Sequence, residues 1–258
     1  MKPKKVFFIL FFALVSAPFF AQYRTVDSYS FFTGYSFIKS DFGARNDFDT
    51  NFNNTGVELG GKIYLNLFPY HWQWQGMYHF RTSFILSFAT GRVDHIGRYT
   101  DNKTSPIAKK LMSMYARPVV FGMGMGIDYS FQNLQYYNFT RLYGIYRFNV
   151  TLGVDVMGFY YMPNIQSELG DITDPAQQVG ILHPRFVGKV YPEAGITFGT
   201  TFKFSIHYQI SENYHIYLEN RSTWFLSDRI DGLDVNDEPD KFTDWIYTPA
   251  LGITYFVW

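Results

Sequence analysis

Residues 119–130 read VVFGMGMGIDYS. Val119, Phe121, Met123, Met125, Ile127 and Tyr129 are bulky and apolar, and Gly122, Gly124, Gly126 and Asp128 between them are small or charged. A period of two is the pattern of a strand with one oily face. A glycine-rich phosphate loop would instead follow a strand and open a helix. The glycines at 122–126 sit inside the alternation, which makes them small residues on the polar face. Glycine weakens a strand, so a row of three needs a physical reason. Either it leaves room for other inward side chains, or it lets the sheet bend sharply in a narrow barrel.

The same alternation continues on both sides of this segment. Val57, Leu59, Ile63 and Leu65 oppose Glu58, Gly60, Lys62 and Asn66. Phe80, Phe84, Leu86 and Phe88 oppose Arg81, Ser83 and Ser87. Leu142, Tyr146, Phe148, Val150, Leu152, Val154 and Val156 oppose Arg147, Asn149, Thr151 and Asp155. Eight strands are predicted, at 28–38, 55–67, 78–90, 115–131, 140–158, 190–210, 214–227 and 244–258. Their connections alternate between long (39–54, 91–114, 159–189, 228–243) and short (68–77, 132–139, 211–213). Long outer loops alternating with short periplasmic turns define an outer-membrane barrel, and an even strand number leaves both termini in the periplasm. The predicted fold is therefore all-β: an eight-stranded antiparallel up-and-down transmembrane β-barrel over 22–258. Eight strands is a small closed size, with an interior that side chains just fill.

Composition agrees. Aromatic residues make up 21% of the 258-residue chain, with 28 Phe and 21 Tyr, and charged residues 17%. Mean hydropathy is nevertheless only −0.12. Many aromatics without bulk hydrophobicity suits a wall in which every second residue meets lipid. The 22 basic and 22 acidic side chains balance, which gives no argument for a nucleic-acid partner. The chain has no cysteine, which excludes disulfides and thiol catalysis.

At the N-terminus, Lys2, Lys4 and Lys5 precede an apolar run from Val6 to Phe20. The run is too short to span a bilayer as a helix. Residues 1–21 read as a signal peptide cleaved between Ala21 and Gln22, with Phe19 larger than the usual residue at −3. At the other end TPALGITYFVW (248–258) finishes on an aromatic, as strands recognised by the outer-membrane assembly machinery do. Its lipid-facing parity is open between Leu251, Ile253, Tyr255 and Val257 on one side and Phe256 and Trp258 on the other. Tyr64, Phe68, Tyr70, Trp72 and Trp74, with Tyr136, Tyr137 and Phe139, are expected to form a periplasmic aromatic girdle.

SDFGARNDFDTNFNNTG (40–56), GKIYLNLF (61–68), HFRTSFILSF from His79, VDHIG (93–97), LSDRIDGLD (226–234) and TDWIYTPALGITYF (243–256) together resemble a family of uncharacterised outer-membrane barrels from Bacteroidota. Its members often carry a misleading glutamate dehydrogenase label. Relatives are expected to have cysteines near 68–78, where this chain reads FPYHWQWQGMY, and 159–189 has no counterpart. The resemblance implies location and fold and no activity. It also implies a likeness to accessory subunits of a secretion or gliding apparatus.

Candidate chemistry is sparse. His71, His79, His95, His183, His207 and His215 stand in no recognisable nucleophile–base motif. His207 and His215 flank a short turn on the periplasmic side, whereas His95 and His183 lie in outer loops. No catalytic residue and no cofactor is expected. DGLDVNDEPD (231–240) gathers Asp231, Asp234, Asp237, Glu238 and Asp240, a candidate calcium loop without the EF-hand spacing. Arg81, Asp128, Arg147 and Asp155 are expected to point inward and to fill the lumen with ion pairs. A structural or interaction barrel with a secretion-system partner is the leading functional expectation; a narrow porin and a lipid-modifying enzyme are the alternatives.

Overall fold

The computed structural model describes residues 26–40, 54–65, 80–95, 105–131, 148–211, 213–227, 229–233 and 244–257. Eight long antiparallel strands form the wall: β1 (Val26–Lys39), β2 (Thr55–Leu65), β3 (Phe80–Asp94), β5 (Val119–Ser130), β6 (Phe148–Met162), β8 (Gly195–Gln209), β9 (Tyr214–Phe225) and β10 (Trp245–Phe256). Each pairs with its neighbours in the chain, and β1 pairs with β10 from Ser28↔Phe256 to Lys39↔Trp245. That last seam closes the cylinder and removes the sheet edges. Twelve residues rise about 40 Å along a strand, or about 30 Å along the axis at the usual tilt, which is a bilayer core.

Outward side chains form a continuous apolar band. Phe31, Leu59, Met125, Val156, Phe198, Leu218 and Leu251 are each at least about half exposed and come from seven strands, while Leu86 represents β3. In water this area would far exceed the few hundred Å² of apolar patch that soluble monomers tolerate. The wall is built for lipid. Polar groups in it satisfy one another: Tyr247 Oη donates to Asn220 Oδ1 at 3.0 Å and Trp224 Nε1 donates to Ser222 Oγ at 3.0 Å. Ring contacts gather at both ends of the wall. Phe80–Tyr129, Phe148–Tyr208 and Tyr214–Tyr255 lie at the end that carries Val26 and Phe256, called here the terminal end. Phe37–Tyr247 and Trp224–Trp245 lie toward the opposite end.

The parity of β10 is resolved by burial. Leu251, Ile253 and Tyr255 face out, and Phe256 is 1% exposed and faces in. One girdle residue is corrected. Tyr64 is buried in the lumen, where its hydroxyl donates to Asp128 Oδ2 at 2.7 Å. Its parity is shared with Lys62 and Glu58, so the alternation of β2 carries it inward. The remaining girdle candidates, residues 68–74 and 136–139, lie outside the described residues.

The predicted long loops 91–114 and 159–189 hold more structure than alternation alone suggested. β3 and β6 run on to Asp94 and Met162, and two short strands, β4 (Met114–Ala116) and β7 (Ile165–Ser167), continue the sheet in the order β3–β4–β7. Two seven-residue helices accompany them, α1 (Pro106–Met112) and α2 (Pro175–Ile181). Ser105 and Asp174 cap them by accepting the amides of Ala108 and Ala176, and a proline opens each first turn. Helices this short are unstable alone. They are held by Val93, Met114, Ala116, Ile165, Ile172, Ile181, Leu182, Phe186, Ile230 and Leu233, all buried and continuous with the apolar residues of the upper lumen. These segments make a packed cap over one mouth of the barrel.

Candidate functional site

The barrel interior is layered. At its middle, Lys62 Nζ donates to both oxygens of Glu219, at 2.9 and 2.7 Å. Arg221 joins the same carboxylate at 2.8 Å and reaches Glu58 at 3.1 Å. Beside this group, Lys203 Nζ bridges Asp128 at 2.6 Å and Asp155 at 2.5 Å. All seven side chains are essentially buried. Charges taken out of water are tolerable only when paired and hydrogen-bonded. The set holds three cations and four carboxylates, and Tyr64 supplies a further donor to Asp128.

Register explains how these groups fit in a narrow tube. Gly126 pairs across to Asp155, and Asp128 pairs across to Gly153, which in turn pairs with Lys203. Asp128 and Asp155 therefore each stand opposite a glycine. A methyl on Gly126 would overlap the Asp155 carboxylate, and one on Gly153 would overlap that of Asp128. Of the two reasons the glycine row could have had, room for inward side chains is the one these positions meet. At Gly122 a methyl would come within 2.6 Å of the Phe159 ring.

Toward the cap the lumen turns apolar, with Phe32, Ile85, Met157, Phe159 and Phe225 buried. Toward the terminal end it is polar again. There Arg81 pairs with Asp27 at 2.5 Å, donates to Ser28, and lies 3.9 Å from the Tyr64 ring centroid. Of the four expected lumen charges, Asp128 and Asp155 enter one network. Arg81 also points inward but pairs with Asp27 near the start of β3, apart from that network. Arg147 lies outside the described residues. Lys203, Glu219 and Arg221 were not singled out in the sequence. Their signal was parity: Phe202 and Phe204 face out around Lys203, and Leu218 and Asn220 alternate with Glu219 and Arg221.

The candidate catalytic and metal groups fare differently. Ser205 Oγ lies 3.1 Å from His207 Nε2, but both are buried inside the wall, and His207 stacks on Tyr217. Asp231 of the candidate calcium loop is buried, and its Oδ1 accepts the amide of Leu233 at 2.9 Å, a local turn. Asp234, Asp237, Glu238 and Asp240 lie outside the described residues.

His95 and His183 meet in the cap, both against Phe186 with ring centroids 5.2 and 5.9 Å away. Burial, then the charge of His183, pushes the His95 imidazole down to about 3. Between its unfolded value near 6.5 and about 3, the unfolded cap binds the proton that the folded cap refuses, so stability falls as pH falls through that window. Hydrogen exchange across 105–118 and 163–190 should therefore quicken at pH 4.5 relative to His95→Gln at the same pH. Equal protection in the two proteins would dismiss this account of His95.

No family model matches the chain and no curated protein is similar to it, so the resemblance to the Bacteroidota family gains no support there. Solved structures with some likeness include Neisserial surface protein A, at 7% identity and TM-score 0.46, covering 89% of this chain and 96% of that one. A major outer membrane protein from Thermus thermophilus gives 12% identity and TM-score 0.47, covering 89% and 98%. OprG from Pseudomonas aeruginosa gives 10% and 0.41, covering 90% and 98%. These likenesses are distant, and the closed barrel rests on its own strand register.

Proposed function

We propose that this chain is a non-enzymatic barrel of a Gram-negative outer membrane that works through its cap, as a structural or interaction protein, rather than through its lumen. One observation carries the reading: the lumen is filled by ion pairs and aromatic side chains, and the cap segments pack into one buried apolar cluster with its upper residues. A narrow porin needs a wet path along the axis, and Lys62, Lys203 and Arg221 with their carboxylates occupy it. The apolar wall supports the membrane location. Export through a signal peptide at 1–21 and insertion by the outer-membrane assembly machinery belong to the same reading, as does a protein partner from a secretion or gliding apparatus.

The cap carries exposed apolar side chains for such a partner to cover. Ile107 on α1, Val179 on α2 and Leu169 between β7 and α2 are 48, 71 and 53% exposed. Lys110 Nζ donates to the Val179 carbonyl at 3.4 Å, which sets the two helices side by side. Capture from detergent-solubilised native membranes should return a specific partner, and Ile107→Glu with Val179→Glu should release it while the barrel stays folded. Recovery of the barrel alone from native membranes, or steady conductance of the purified barrel in planar bilayers, would sink the reading.

A further inference from the structure

The small sheet β3–β4–β7 has two faces. Its inner face, with Val93, Met114, Ala116 and Ile165, is buried in the cap core. Its outer face continues the lipid-facing wall upward. Arg92 shares the parity of Phe84, Leu86 and Phe88, and sits four residues above the Phe88–Phe121 ring pair, about 13 Å along the strand. Allowing for tilt, that is the step from the edge of the hydrocarbon to the headgroup layer.

Two guanidinium groups meet on this face around one ring. Arg92 Cζ lies 4.4 Å and Arg117 Cζ 5.4 Å from the Tyr115 ring centroid. Tyr115 is fixed by its hydroxyl, which donates to Gln166 Oε1 at 2.7 Å. The Arg117 backbone is clamped by Asn164, which accepts its amide at 3.2 Å and donates Nδ2 to its carbonyl at 3.1 Å. Asn164 adopts φ 49 to do so, a conformation that asparagine tolerates better than most residues. The Arg117 backbone is thus fixed beside the ring. Arg92 Nε donates to Asp94 Oδ1 at 2.9 Å, which uses one of its five N–H donors. Lys39, on the same rim, stands 6.0 Å from the Trp245 ring. Lys39, Arg92 and Arg117 thus face outward at this end, where Asp94, Glu168 and Glu193 are among the described carboxylates. Among the described residues, outward positions at the terminal end include Phe80, Phe148, Tyr208, Tyr214 and Tyr255.

We infer that Arg92 and Arg117, flanking Tyr115, bind the phosphate of a membrane lipid in the leaflet on the cap side. Asp94 balances one of these two positive charges, and a second anion beside the ring would balance the other. A phosphate at headgroup depth supplies that anion, and its oxygens suit the fork of an arginine. The inference rests on the barrel spanning a bilayer but not on the cap having a protein partner.

The test uses the whole barrel reconstituted in nanodiscs of phosphatidylcholine alone, or with phosphatidic acid as the phosphomonoester probe, read by native mass spectrometry of retained lipid. Wild type should retain phosphatidic acid over phosphatidylcholine, and Arg92→Gln with Arg117→Gln should lower that preference at least about tenfold. Arg92→Lys with Arg117→Lys should keep part of it. Heat-modifiable migration in all three proteins would confirm that each barrel is inserted, which separates failure of the site from failure of the fold. Equal retention by wild type and the glutamine variant would overturn the inference. Abolition of the preference by millimolar inorganic phosphate would also overturn it, since the site would then belong to a free anion.

Discussion

Lys203→Met is expected to destabilise the barrel by about 3–5 kcal/mol, the usual cost of stranding a buried charge. Lys203 is 4% exposed and bridges two carboxylates that come from neighbouring strands, Asp128 on β5 and Asp155 on β6. Methionine keeps most of the volume and removes the charge. Asp128 retains Tyr64 as a donor, while Asp155 loses the ammonium that holds it. Urea titration of the barrel in phospholipid vesicles, followed by heat-modifiable migration, should show the midpoint fall. Lys203→Met combined with Asp128→Asn and Asp155→Asn should recover most of the loss. No charge is then left unpaired, and the amide oxygen that replaces the Asp128 carboxylate can still accept from Tyr64. A single variant that unfolds at the wild-type midpoint would show that water reaches these carboxylates, and the filled lumen would then have to be abandoned.

That network also marks where the sequence stops being legible. Strand number, the closing of β1 on β10 and the inward parity of Asp128 and Asp155 all follow from alternation, which a single chain displays directly. Pair assignments do not follow. Arg81 and Asp128 lie on neighbouring strands and in the same register pair, yet Arg81 turns to Asp27 and Asp128 to Lys203, on a strand that is not its neighbour. Side chains in a narrow tube meet across the lumen as readily as along the wall, and sequence spacing carries no trace of that distance. The cap was hidden for a different reason. Its strands are three residues long and its helices seven, so neither period has room to develop. Ser105–Pro106 and Asp174–Pro175 were the readable signals, each a helix-start pair inside a segment otherwise taken for loop. Arg92 and Arg117 escaped notice because their significance depends on β4 pairing with β3, which brings Tyr115 beside Asp94.

Gly126→Val should prevent the barrel from reaching its folded form. Gly126 faces inward, directly across from Asp155 in the β5–β6 register. Even one carbon there occupies the position of the Asp155 carboxylate. The carboxylate cannot retreat without leaving Lys203, so overpacking, ordinarily about 1–3 kcal/mol, combines with the loss of a buried ion pair. The β-branched side chain itself suits a strand, so propensity would predict the opposite sign. Gly126→Ala with Asp155→Ala tests the cause. It returns the space while leaving Lys203 paired with Asp128, and it should fold to the heat-modifiable form that Gly126→Ala alone reaches in lower yield. If Gly126→Val folds as well as wild type, the opposed glycine and carboxylate are not competing for one volume. The lumen would then have slack at the level of its ion pairs, where a filled barrel can have none.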